Sequence, residues 1–248
     1  MGLRIFLHSI KLVFAQFGAA LKISALLYIV SMILGGIGFY YQFQAMASGQ
    51  PNAVAWQFFV AAFLSFVPYL WIAVGWHRFV LLDEMPRAPL PTPPGDRLWS
   101  YVGRALQMVL VFIVFGLGVG LVLTIAMMVS NASPWVAFPL MIGAIAFAVL
   151  ITYRLAPIFP GAAIGRPIGI GEAWNATSGG SGALLLMAII SAIASFLLDL
   201  PVEILSRLPW GQFTSIAWIV VTYWIKLMVG VSILTTIYGV YVEKRAIA

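Results

Sequence analysis

Lys226 lies in the run TSIAWIVVTYWIKLMVGVSILTTIYG, roughly fourteen residues after an apolar stretch begins, and no other formal charge of the chain is placed so deeply. A lysine at the centre of a membrane-spanning helix costs about 2.5–3.5 kcal/mol, so it should face other helices or water and find acceptors there. Thr222, one turn earlier, and Tyr223 are candidate acceptors, and the sequence places no carboxylate at the same depth. Lys226 is therefore a candidate substrate, ion or lipid contact. The plainer alternative is a snorkelling or neutral lysine whose long stem reaches an interface.

Three further places carry ionisable groups. In WHRFVLLDE, His77 and Arg78 precede the adjacent acids Asp83 and Glu84. His77 could titrate near neutral pH or contact a lipid headgroup beside Arg78, although aromatic and basic residues at a span's inner end also act as ordinary anchors. Neighbouring acids on a helix point about 100° apart, a poor arrangement for a shared proton or a metal. Arg154 opens the segment YRLAPIFPGAAIGRPIGIGEAW, where Pro157, Pro160 and Pro167 interrupt helix. The stretch 157–171 is thus a candidate broken segment that dips into the membrane, and such backbone often lines transporter sites. Glu172 is the acid that could approach these basic residues; alternatively it sits in a first helical turn and favours the N-terminal dipole. Finally, GGSG at Gly179 to Gly182 places Ser181 near a helix start, a faint echo of the Gly-x-Ser core of intramembrane serine proteases. Only His8 and His77 could serve it as base. No HExxH, Walker sequence or dinucleotide fingerprint appears, and without cysteine there is no disulfide, thiolate metal site or thiol nucleophile. Catalysis, a metal and a cofactor are accordingly not expected.

The elements that must position these groups follow from composition. Of 248 residues 63% are hydrophobic and 8% charged, against roughly 25% charged in soluble domains, so the chain reads as one integral membrane domain over 1–248. A span needs about 20 largely apolar residues, and six stretches qualify: 23–43, 54–76, 105–129, 134–153, 183–200 and 213–240. Between the members of each pair lie QAMASGQPN, SNAS and DLPVEILSRLPWGQ, which contain one basic residue, Arg207. On the other side stand Arg4, Lys11, Lys22, Arg78, Arg87, Arg97, Arg104, Arg154, Arg166, Lys244 and Arg245, about eleven against one. This bias puts both termini in the cytoplasm. With the net charge of +6 so placed, membrane lipids are the expected partners and nucleic acid is not.

Tryptophans prefer the headgroup level. Trp56, Trp135 and Trp210 fall near outer ends, Trp76, Trp99 and Trp174 near inner ones, while Trp71, Trp218 and Trp224 lie inside spans. Residues 1–21 form an interfacial helix, with Arg4, His8 and Lys11 on one face and Leu3, Phe6, Leu7, Ile10, Phe14 and Phe17 opposite. No removable leader is expected, since charges enter the first apolar run and no cleavage site follows. DRLWSYVGRAL and GIGEAWNATSGG read as similar segments before the third and fifth spans, giving three units of interfacial segment and hairpin. Arg78 and Arg154, each just past the second span of its unit, lie roughly 76 residues apart, a repeat-like spacing. The proline-rich loop 83–97 reads as a stiff spacer, or as a dock for a partner. Gly116, Gly118 and Gly120 should permit close helix contact in the third span.

WHRFVLLDE and RLAPIFPGAAIGRPIGIGEAWNATSGG resemble a loose group of uncharacterised six-span bacterial inner-membrane proteins. The YciC-like group and the membrane region attached to some glycerophosphodiester phosphodiesterases are similar in having an arginine, a proline a few residues on, then an Ala-rich interfacial segment before a span. Here these are Arg154, Pro160 and Glu172 to Thr177. The resemblance covers about half the chain and implies a bacterial inner-membrane location. The catalytic barrel of the phosphodiesterases is absent, so no catalytic residue carries over. Mitochondrial carriers also have three hairpins, but their repeated Pro-x-Asp/Glu-x-x-Lys/Arg motif is missing. The expected function is that of a non-enzymatic membrane protein, an accessory or regulatory component with a protein partner in a larger membrane assembly. The alternative is a small transporter, channel or lipid-handling protein using Lys226 and the segment 157–171.

Overall fold

A computed structural model describes residues 1–48, 56–85, 95–131 and 133–247. Most of the proline-rich loop, with Arg87, lies outside the described residues, as do parts of the QAMASGQPN and SNAS links. Among the described residues the regular structure is entirely helical: α1 Gly2–Ala15, α2 Phe17–Ala47, α3 Trp56–Leu82, α4 Gly95–Val129, α5 Pro134–Leu155, α6 Ile158–Ala163, α7 Ile170–Ala176, α8 Ser181–Ser206 and α9 Gly211–Tyr241. Six helices, α2, α3, α4, α5 continued into α6, α8 and α9, are long and apolar enough to cross a membrane. The protein is a polytopic helical membrane protein. Hydrocarbon offers no partner to a backbone N–H or C=O, and a helix satisfies nearly all of its own. Pro68, Pro139 and Pro201 accordingly stand inside α3, α5 and α8 without ending them.

The spans pair as the hairpins α2–α3, α4–α5 and α8–α9. In the first, small residues let the backbones approach: a Cβ on Gly38 would lie 3.0 Å from that of Ala61, one on Gly75 3.0 Å from Ile23, and Ser31 donates to the Ser65 carbonyl at 2.9 Å. The turn from α8 to α9 passes through Trp210 in the left-handed region, φ 65°. Gly2 packs on Ala183 and Met187 near the start of α8, and Arg245 donates to the Leu81 carbonyl at the end of α3. Both termini therefore lie at one end of the bundle.

The first helix turns a third stripe to the bundle, leaving Arg4, Lys11 and most of the apolar face read from its sequence uncovered, while two further expectations about packing are corrected. Gly2, Ile5, Phe6, Ser9 and Val13 pack inward on α8 and α9, while Leu3, Leu7, Phe14 and Phe17 stay uncovered. Lipid solvates large apolar groups as well as protein does, so size and apolarity alone do not select the buried stripe, which mixes Gly2 and Ser9 with Ile5, Phe6 and Val13. Next, DRLWSYVGRAL is no separate segment, because α4 runs unbroken over 35 residues. Lastly, no atom of the described residues lies within 4 Å of where a Cβ would stand on Gly116, Gly118 or Gly120, so the expected close contact is not made among them. There α4 and α5 diverge around an apolar hollow of about 330 Å³ lined by Phe115, Val119 and Leu140 among others.

Candidate functional site

Lys226 stands midway along α9 and meets a carboxylate that sequence reasoning missed. Its Nζ lies 2.5 Å from Oδ1 of Asp199 on α8, and 5.1 Å above the Tyr223 ring. Helix geometry brings the two together. Side chains lean toward their own helix N-terminus, so in an antiparallel pair the Lys226 stem points to the α8–α9 turn and Asp199 points away from it. At about 1.5 Å per residue Asp199 lies roughly 10 Å inside the end of α8, within hydrocarbon for a core about 30 Å thick. The acceptors expected at Thr222 and Tyr223 are not the ones used: the Thr222 hydroxyl donates to Trp218, and Tyr223 offers its ring. The Asp199 side chain is half exposed, so the pair faces outward from the bundle.

His77 is in the core. Its expected role as headgroup contact or anchor is corrected, since the side chain is fully buried, with 0% accessibility. The Thr235 hydroxyl donates to the Val231 carbonyl at 2.9 Å, so the 2.7 Å bond between Thr235 and His77 is donated by Nδ1–H. Nε2 is left to accept from the Tyr101 hydroxyl at 3.4 Å. Trp76, also expected as an anchor, is equally buried and donates to Ser232 at 2.8 Å. Trp224 donates to Ser24, and Ser9 meets Thr236 at 3.0 Å. A row of polar bonds thus ties α1, α2 and α3 to α9, and α4 to α3, each satisfying a group that would be costly bare in hydrocarbon.

The end of the bundle that carries the termini collects the arginines. Arg78 holds Glu84 with two bonds, 2.8 and 2.9 Å, and donates to the Ala163 carbonyl at 3.0 Å in the last turn of α6. Arg154 is buried, stacks 3.6 Å over the Trp174 ring and donates to the Trp174 carbonyl at 2.5 Å in the last turn of α7. Both guanidiniums therefore satisfy orphan carbonyls at the negative end of a short helix. Glu172 stays in the first turn of α7, where its carboxylate accepts from the Gly169 N–H at 3.4 Å and makes no ion pair among the described residues. Arg97 lies over Gly165, whose φ of 79° and lack of Cβ admit the guanidinium; a Cβ there would be 2.5 Å from Cζ. Arg166 and Arg245 share Glu243, at 3.8 and 2.6 Å.

The structure does not bring Lys226 to the broken segment. Within 157–171, α6 is buried against α3, α4 and α9, and Gly161 packs near Tyr238. Tyr238 lies twelve residues from Lys226 along α9, about 18 Å at helical rise. Ser181 donates to the Ser178 carbonyl and makes no hydrogen bond to a histidine. Among the described residues no three His, Asp or Glu side chains gather as metal ligands.

Sequence reasoning also missed the crevice between α3 and α4. The two helices touch where Tyr101 stacks on His77. Beyond that contact lie two apolar hollows, about 560 and 440 Å³, which share Phe66 and Leu70 as walls. Tyr101, Met108 and Phe159 line the larger; Phe63, Leu98, Trp99 and Val102 line the smaller. No protein-family model, curated protein or solved structure matches this chain.

Proposed function

We propose that this chain is a non-enzymatic accessory or regulatory component of a larger assembly in the bacterial inner membrane, with both termini in the cytoplasm. The supporting observation is the Lys226–Asp199 pair, which sits at membrane depth on an outward face. Charges inside membranes ordinarily face a bundle interior or a water-filled cavity because hydrocarbon solvates them poorly. A neighbouring helix with a polar group at matching depth would complete the solvation of Asp199. The buried polar groups His77, Arg154, Thr235 and Ser232 are meanwhile engaged in bonds that hold the fold. We further propose kinship with the YciC-like group, resting on Arg154, Pro160 and the segment from Glu172 to Thr177.

The test is native mass spectrometry of the tagged protein extracted gently from its own membrane, beside an untagged control. A stoichiometric protein partner is expected, and it should be lost when Asp199→Asn and Lys226→Met are combined. Recovery of the protein alone, or as a homo-oligomer, would overturn the reading. The second reading, lipid handling, draws on the hollows between α3 and α4 that open toward hydrocarbon. It predicts movement or retention of lipid by the reconstituted protein without a partner.

A further inference from the structure

We propose that the pocket where α1, α3 and α9 meet the segment after α9 binds a phosphate group, held between the Arg245 guanidinium and the His8 ring. The site goes beyond the assembly role proposed above and does not depend on it. The pocket has a volume of about 280 Å³ and is lined by His8, Leu81, Thr235, Thr236, Arg245 and Ile247 among others. That is close to the lower end of the roughly 300–1,000 Å³ common for small-ligand sites. Leu81 and Thr235 stand less than two turns from the ends of α3 and α9, and the Arg245 side chain is half exposed. The mouth therefore opens at headgroup level, where lipid phosphates and dissolved esters are both within reach.

The ionisable walls of the pocket carry donors without acceptors. An arginine has five N–H groups; Arg245 sets Nε 2.6 Å from the Glu243 carboxylate and gives one terminal N–H to the Leu81 carbonyl at 3.4 Å. Three N–H groups are left over. Neither His8 nitrogen has a hydrogen-bond partner among the described residues, and Nδ1 is sealed from solvent. A proton on Nδ1 would be stranded there, so the neutral ring carries it on Nε2, the edge that remains to face the pocket. Thr235 and Thr236 donate to the Val231 and Ser232 carbonyls, so recognition falls to His8 and Arg245. The surrounding charge favours an anion. Arg4 and Lys11 stand next to His8 on the uncovered side of α1. Glu243 is shared by Arg245 and Arg166, Glu84 holds Arg78, and neither acid, nor Asp83, lines the pocket. Because His8 and Arg245 belong to different elements, their donors converge from different directions. A tetrahedral phosphate accepts along several directions, whereas a planar carboxylate is filled by one guanidinium fork.

The experiment uses the full chain, delipidated in a maltoside detergent that carries no phosphate. In one arm glycerol 3-phosphate is titrated by calorimetry beside glycerol and glycerate. In the other, native mass spectrometry counts retained phosphatidylglycerol beside diacylglycerol with the same acyl chains. One phosphate-bearing ligand per chain is expected in at least one arm, with its phosphate-free counterparts bound about tenfold more weakly. Binding of glycerol 3-phosphate assigns the pocket to a dissolved ester; retention of phosphatidylglycerol alone assigns it to a headgroup. Whichever binds, Arg245→Gln should weaken it about tenfold and His8→Phe about fivefold, the loss of a charge-assisted and of a neutral hydrogen bond. Arg207→Gln, at the opposite end of the bundle, leaves it unchanged. Binding in neither arm, equal binding of the phosphate-free controls, or full affinity in either pocket variant would overturn the proposal. Should Arg245→Gln not fold, His8→Phe and Ala246→Trp, which fills the pocket from an exposed position, must each weaken binding; failure of either overturns it as well.

Discussion

Asp199 and Lys226 are unequal partners. The lysine has a four-carbon stem and can carry its charge toward the interface when released; the aspartate is short and stays where its helix holds it. Lys226→Met should therefore cost more than Asp199→Asn, about 2–3 kcal/mol against about 1, because it leaves a fixed carboxylate in hydrocarbon. The double variant should recover most of the loss, with an interaction energy of about 1–2 kcal/mol. Thermal unfolding of the four proteins in nanodiscs measures all three differences, and additive losses would show that the pair is not coupled. The lysine was legible in the sequence as a charge in an apolar run. Its partner was missed because Asp199 lies at the edge of the stretch 183–200 and looks like a terminal residue there. Folding the α8–α9 turn back on itself sets Asp199 near the level of Trp218, whose indole bonds the Leu198 carbonyl, and from there the leaning lysine is within reach.

Spans, hairpin order and the helix that begins before Glu172 follow from apolar length and from glycine and proline punctuation, so these elements were largely readable; α6 was not, because Pro157 and Pro160 were read as interrupting helix where they stand at its N-cap and in its first turn. Their buried faces were not. In water a helix buries its large apolar side, but in a bilayer Phe63 and Trp135 can face outward while Ser9, Ser232 and Thr236 turn inward. Hydrophobic periodicity is then silent about contact, and small or hydroxyl-bearing residues are the better guide. The arginines show a related rule. Arg78 and Arg154, which the sequence singled out by spacing, each fasten the end of a short helix to the close of a span. Arg154 does so through a flat stack on Trp174 as well as through its N–H fork. Arg154→Lys keeps the charge but loses the stack and the fork, so α7 should loosen by about 1 kcal/mol. Hydrogen exchange across 170–177 is expected to speed roughly fivefold, with α9 unchanged. Equal exchange in the two proteins would mean that charge alone holds α7.

At the scale of the whole molecule, α9 is the axis to which α1, α3 and α8 pack, and the α4–α5 hairpin stands out from it as a wing. The sequence hinted at three equivalent hairpins, but nothing in its composition distinguishes a hairpin wrapped by protein from one wrapped by lipid, since both are apolar all round. Orientation, by contrast, rests on charge that composition does record. Even span number and the contacts of Gly2 and Arg245 put the two termini at one end, and that same end carries the clustered arginines Arg78, Arg97, Arg154 and Arg166. Basic residues close to span ends resist translocation, and eleven of them against Arg207 leave little competition. Fusions of a reporter that works only in the cytoplasm should therefore be active at the N-terminus and after Ala248, and silent in the α8–α9 turn near Leu208. Moving charge should move the molecule: adding four lysines to the α8–α9 turn while neutralising Lys244 and Arg245 is expected to weaken the C-terminal signal before it affects the N-terminal one, because the last hairpin has the fewest flanking charges to hold it. Activity from a reporter that works only outside the cytoplasm, fused at the C-terminus of the unaltered protein, would reverse the orientation of all six spans.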